Sequence, residues 1–119
     1  MVELEYLAAL FAGSVGGLVV GVVAHEMGHV LAAWLTGLPI LGVTIGSGRQ
    51  IVAFFIGQTR IEWRSWPFSG QVGVHFPGDQ NLWSMRFFLL GGVIMNAILL
   101  YVALKLIWHP SDHVRWLAL

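Results

Sequence analysis

Two histidines and a glutamate stand in the middle of an apolar stretch, VVAHEMGHVLAAW, residues 22–34. On an α-helix, positions i and i+4 share a face. His25 and His29 can therefore turn ring nitrogens toward one cation at about 2.0–2.1 Å, the usual zinc–imidazole distance. Glu26 is one residue further round and reaches water beside the cation rather than the cation itself. In the His-Glu-x-x-His pattern that carboxylate takes the water's proton, because zinc lowers the water's pKa toward neutrality. The lipid-like surroundings argue for use, since a charge at a bilayer centre costs about 2.5–3.5 kcal/mol on insertion scales and is rarely idle. A structural polar cluster bonded to another helix is the competing reading of the same residues.

The elements that must position these groups are few. The chain has 119 residues, which allows one domain, 1–119, and it is 57% hydrophobic and only 10% charged. Soluble domains carry about 25% charged residues, so this composition, with mean hydropathy +0.78, indicates a membrane protein. Six basic residues balance six acidic ones, which gives no electrostatic footprint for nucleic acid. There is no cysteine, so a metal must be held by His, Asp or Glu.

Residues 4–36 form a first apolar segment, stopped by Gly37 and Pro39, and residues 84–108 form a second. Both reach the ~20 residues that cross a bilayer core. Arg86 and Lys105 lie near the ends of the second, where long side chains snorkel to the interface. Residues 40–76 differ: LGVTIG, QIVAFFIG, TRIEWRSW and QVGVHF are short, β-branched or aromatic, and separated by glycine-bearing turns. Ile56-Gly57-Gln58-Thr59 reads as a tight hairpin. Arg60, Glu62 and Arg64 alternate with Ile61 and Trp63, the pattern of a half-buried strand. The predicted class is a membrane α-helical protein with a small β-region, two transmembrane helices flanking a membrane-associated β-hairpin or sheet.

Arg49, Arg60, Arg64 and Arg86 lie in or beside the middle region, while MVELEY at the start carries only acids. The positive-inside rule then places residues 37–84 in the cytoplasm and both termini outside, as in a bacterial cytoplasmic (inner) membrane. MVELEY lacks the basic start of a cleaved signal, so the first segment is expected to stay. Trp34, Trp83 and Trp108 fit an interfacial belt. Gly13, Gly17 and Gly21 repeat every fourth residue, a pattern that lets another helix approach closely. Gly28 leaves space beside the ligands and is expected to line the site.

HEMGH (25–29), PFSGQV (67–72) and GGVIMN (91–96), in that order, resemble the site-2 protease family of intramembrane zinc metalloproteases over about residues 18–100. The resemblance implies that His25 and His29 are zinc ligands, that Glu26 is the general base, and that Asn96 lines the active site from the second helix. It also implies that the sheet guides an extended substrate strand, a form of β-augmentation suited to an unwound transmembrane peptide. Two departures stand out. The family's Gly-Pro-x-x-Asn appears as Gly92-Val93-Ile94-Met95-Asn96, without proline, and the family's aspartate motif for a third zinc ligand is missing. The two aspartates are Asp79 and Asp112; His75 is a spare donor that reads more simply as a loop histidine, and His109 and His113 read as interfacial.

Three functions follow as expectations. One is an intramembrane zinc metalloprotease-like core, minimal or incomplete, that hydrolyses membrane-embedded peptide bonds through zinc-activated water. Another is a protease-derived, non-proteolytic subunit of a larger membrane complex. The last is a pore, transporter fragment or pigment-binding protein whose histidines ligate another metal. Two helices enclose little, so the partners expected are the bilayer, a transmembrane peptide substrate or other membrane subunits, in an oligomer or larger complex.

Overall fold

The computed structural model describes residues 2–76, 78 and 82–108. The element order is α1 (Val2–Thr36), β1 (Ile40–Ile56), β2 (Thr59–Val74) and α2 (Leu82–Trp108). At about 1.5 Å per residue the 35 residues of α1 extend roughly 52 Å, well beyond a ~30 Å hydrocarbon core. Both helices are long and apolar enough to cross a membrane. They begin two residues earlier than expected, at Val2 and Leu82.

The end of α1 follows from Gly37. Its φ of +73° is open to glycine at little cost. Gly37 N–H donates to the Trp34 carbonyl at 3.3 Å and Leu38 N–H donates to Ala33 at 2.9 Å. These are the paired bonds of a Schellman cap, with the usual apolar contact between the flanking residues. Here Leu38 folds back on Ala33, and both are buried with Phe88 of α2, with Ile40, Val72 and Val74 around them. This small core ties the base of both helices to the sheet.

The sheet is two long antiparallel strands, each bent so that it contributes two limbs. Residues 50–56 pair back on 59–64 through the predicted turn, where Gly57 takes φ +62° and Ile56 faces Thr59. Residues 40–45 pair antiparallel with 70–74 on one side. On the other side the partners Gly42–Arg60 through Ile45–Trp63 ascend together, so those limbs run side by side. The bend in β1 falls at Gly46 and Gly48, both at positive φ. The four short β-stretches read from the sequence are thus the four limbs of two bent strands.

Alternation along 59–64 holds in space. Ile61 and Trp63, with Val43 and Ile45, face α1 and line a cavity of about 480 Å³ together with Val23, Met27 and Val30. On the opposite face Glu62 is buried and pairs with Arg64 at 2.7 Å and Arg60 at 3.8 Å. Arg86 lies over Trp83 and Lys105 over Tyr101, at 5.4 and 5.7 Å from the ring centres.

The glycine repeat behaves otherwise than expected. A Cβ placed on Gly13, Gly16, Gly17 or Gly21 would meet nothing within 4 Å. Among the described residues, no second helix covers this part of α1. The close crossing lies further along, where a Cβ on Gly28 would strike the Gly91 backbone and a Cβ on Gly91 would meet the Gly28 carbonyl at 2.5 Å. The reason is depth and not direction: Gly17 and Gly21 lie within about 20° of Gly28 round the helix, but the contacts with α2 fall at His25, Gly28 and His29, further along α1.

Candidate metal centre

The site forms where the middle of α1 meets α2 and one limb of the sheet. His25 and His29, one turn apart, bring their Nε2 atoms to 3.1 Å from each other. Their rings meet edge to face, 4.8 Å between centroids. Each ring's other nitrogen is held by α2. His29 Nδ1 donates to the Phe88 carbonyl at 2.7 Å, and Asn96 Nδ2 lies 3.2 Å from His25 Nδ1. Phe88, Gly92 and Asn96 are four residues apart on α2, matching the spacing of the histidines on α1. Gly92 is the rung without a side chain, and a Cβ there would fall 2.5 Å from the His25 ring.

Glu26 is only 5% exposed, and its Oε2 is buried without a hydrogen-bond partner. Its wall is Gly70 of β2: a Cβ at that position would press into the Glu26 side chain and come 2.6 Å from Oε1. The carboxylate is thus held between the helix and the turn of backbone in PFSGQV. A groove of about 720 Å³ leads to it, lined by Ser14, Gly17 and Gly21 of α1, Ser69 and Gly70 of β2, and Asn96 of α2.

The fit to a cation can be judged from these contacts. Two Nε2 atoms 3.1 Å apart match ligands that each reach one zinc ion at about 2.0–2.1 Å. A buried carboxylate oxygen without a partner is costly unless something polar meets it. Both features suit an ion with water beside Glu26. The described residues supply two nitrogen donors and no more: among them, no group of three or more His, Cys, Asp or Glu side chains is placed to hold a metal. Catalytic zinc sites usually have three protein ligands.

The structure brings together His25, Glu26, His29 and Asn96. Gly28 faces α2 instead of the groove and sets the helix crossing. His75 is exposed beyond β2, its N–H donated to the Pro39 carbonyl at 3.0 Å, and it does not join the pair. Asp79, His109, Asp112 and His113 lie outside the described residues. Gly70, Gly92 and the Phe88 carbonyl shape the site without having been singled out in the sequence. Both glycines sit inside quoted motifs, whereas a backbone carbonyl leaves no signature in a residue's identity.

Compared with known proteins, the model for peptidase family M50 matches residues 13–111. No curated protein matches the chain.

Proposed function

Because this chain belongs to peptidase family M50, the site-2 protease family of membrane metalloproteases, we propose that it hydrolyses membrane-embedded peptide bonds at the His25–Glu26–His29 site. The observation that carries this reading is the buried, unpartnered Glu26 oxygen beside two converging imidazoles at the floor of an open groove. His25 and His29 would hold zinc through Nε2. A zinc ion there supplies a water of near-neutral pKa and polarises the scissile carbonyl. Glu26 takes the water's proton and returns it to the departing amine, which is general-base then general-acid work. Gly70 keeps the carboxylate in place from one side. The backbone of Ser69 and Gly70, at the groove, offers main-chain hydrogen bonds to an unwound substrate segment. Asn96 lines the groove wall opposite.

The setting proposed is a bilayer, with residues 37–84 on the cytoplasmic side of a bacterial inner membrane. The third zinc donor is proposed to come from beyond the described residues, on this chain or on a partner within an oligomer or larger complex.

The test is cleavage of a tagged transmembrane peptide by the protein in lipid vesicles. Glu26→Gln should slow cleavage by about 10²–10⁴-fold, the usual contribution of a positioned base, while zinc stays bound. Equal cleavage by the two proteins would overturn the assignment.

A second reading has one observation in its favour: among the described residues no third donor joins the two imidazoles. In it the chain is a non-proteolytic subunit of a larger membrane complex. It predicts stable co-purification with other membrane subunits and no cleavage by the assembly, whether or not Glu26 is intact.

A further inference from the structure

The two histidines are not built alike. A backbone carbonyl can only accept, so the 2.7 Å contact with Phe88 puts the hydrogen of His29 on Nδ1. Its Nε2 is therefore a lone pair, available to a cation whatever else happens. His25 has no carbonyl on its Nδ1. It has the Asn96 amide, at 3.2 Å, and an amide carries both a donor and an acceptor.

We propose that Asn96 is a positioning residue that lets His25 exchange one ring tautomer for the other, while His29 is preset by Phe88. With no cation between the rings, two facing lone pairs at 3.1 Å would repel, so His25 Nε2 donates to His29 Nε2. His25 Nδ1 is then an acceptor, and Asn96 Nδ2 donates to it. The result is one directed chain, Asn96 to His25 to His29 to Phe88, with every hydrogen placed. When His25 Nε2 serves as a ligand, that hydrogen leaves Nε2 and one is taken up at Nδ1, so the ring stays neutral. The new Nδ1–H needs an acceptor, and Asn96 supplies Oδ1 by turning its amide through half a turn. Gly92, one turn before Asn96, leaves the room in which the ring lies against α2. Metal affinity in such sites depends on the group that holds the far nitrogen, typically by 10–100-fold.

This rests on the zinc reading above, and the experiment separates the two. Histidine-labelled protein in detergent micelles is examined by ¹H–¹⁵N two-bond correlation, first metal-free and then with zinc chloride. The metal-free protein should show His29 as Nδ1–H and His25 as Nε2–H; zinc should move His25 to Nδ1–H. Asn96→Leu, close in shape, should weaken zinc binding 10–100-fold while His29 keeps its Nδ1–H pattern, which certifies an intact helix pair. Asn96→Asp, an acceptor only, cannot donate to His25 Nδ1, so the metal-free pattern of His25 with an acceptor Nδ1 should be lost while zinc binds at least as tightly as in the parent. Metal-free His25 already on Nδ1–H, or Asn96→Leu binding zinc like the parent, would overturn the role of Asn96. A parent protein that binds no zinc removes the proteolytic reading instead, and the metal-free tautomers still decide this one.

Discussion

One helix holds two different regions. From Val2 to Gly21, α1 has glycines that touch nothing and large side chains such as Phe11 and Leu18 that are exposed. From His25 to Thr36 the same helix is gripped: Gly28 crosses Gly91, Ala32 and Ala33 are buried, and both imidazole rings are latched to α2. Both halves carry alanine and leucine, and the gripped half has fewer glycines, one against four, yet that one glycine is at the crossing. The difference lies in what faces them. Polar chemistry sits at the start of the gripped half, where the sheet and α2 fix its geometry, and the ungripped half forms one wall of the approach.

That contrast can be broken from its strong end. Gly28→Val forces side-chain atoms into the Gly91 backbone, which no rotamer change relieves. It should destabilise the helix pair by about 1–3 kcal/mol or more and abolish zinc retention, as read by denaturant unfolding in detergent and by metal content. Gly92→Ala meets the ring of His25 instead, so the fold should survive while zinc affinity drops about 10–100-fold in a competition titration. Gly70→Ala displaces only the base. Cleavage should slow by about tenfold or more, zinc affinity staying at the parent value, because a misplaced general base loses reach without altering the ligands. At the weak end, Gly17→Ala adds a methyl to open space and should cost the isolated chain nothing, raising stability by at most about 0.5–1 kcal/mol through helix propensity. A larger loss for Gly17→Ala in the native membrane, against none in the isolated chain, would show that another helix covers this half in the working assembly.

Much of this was legible in the residues because it is local. The His25–His29 pairing needs only the pitch of a helix, Gly37 needs only a positive φ at a helix end, and Gly57 needs only a two-residue turn. The alternation of Arg60, Glu62 and Arg64 with Ile61 and Trp63 told that charges and apolar side chains take opposite faces of that limb, but not that α1 lies over the apolar one. What stayed hidden depends on contacts between distant parts of the chain. Gly70 matters because Glu26 lies against it, and Gly92 because the His25 ring does; no window along the sequence contains both members. The Gly13–Gly17–Gly21 repeat looked like the crossing and Gly28 like a lining residue. The depth at which α2 meets α1 decided both, and that is not written in a spacing of four.

The central claim is that His25 and His29 together hold a zinc ion beside Glu26. It is tested most directly by the zinc content of protein purified from membranes in mild detergent, set against His25→Ala and His29→Ala prepared alongside. The account predicts close to one zinc per chain in the parent and background levels in both variants. Background zinc in the parent, or equal zinc in all three, would contradict it.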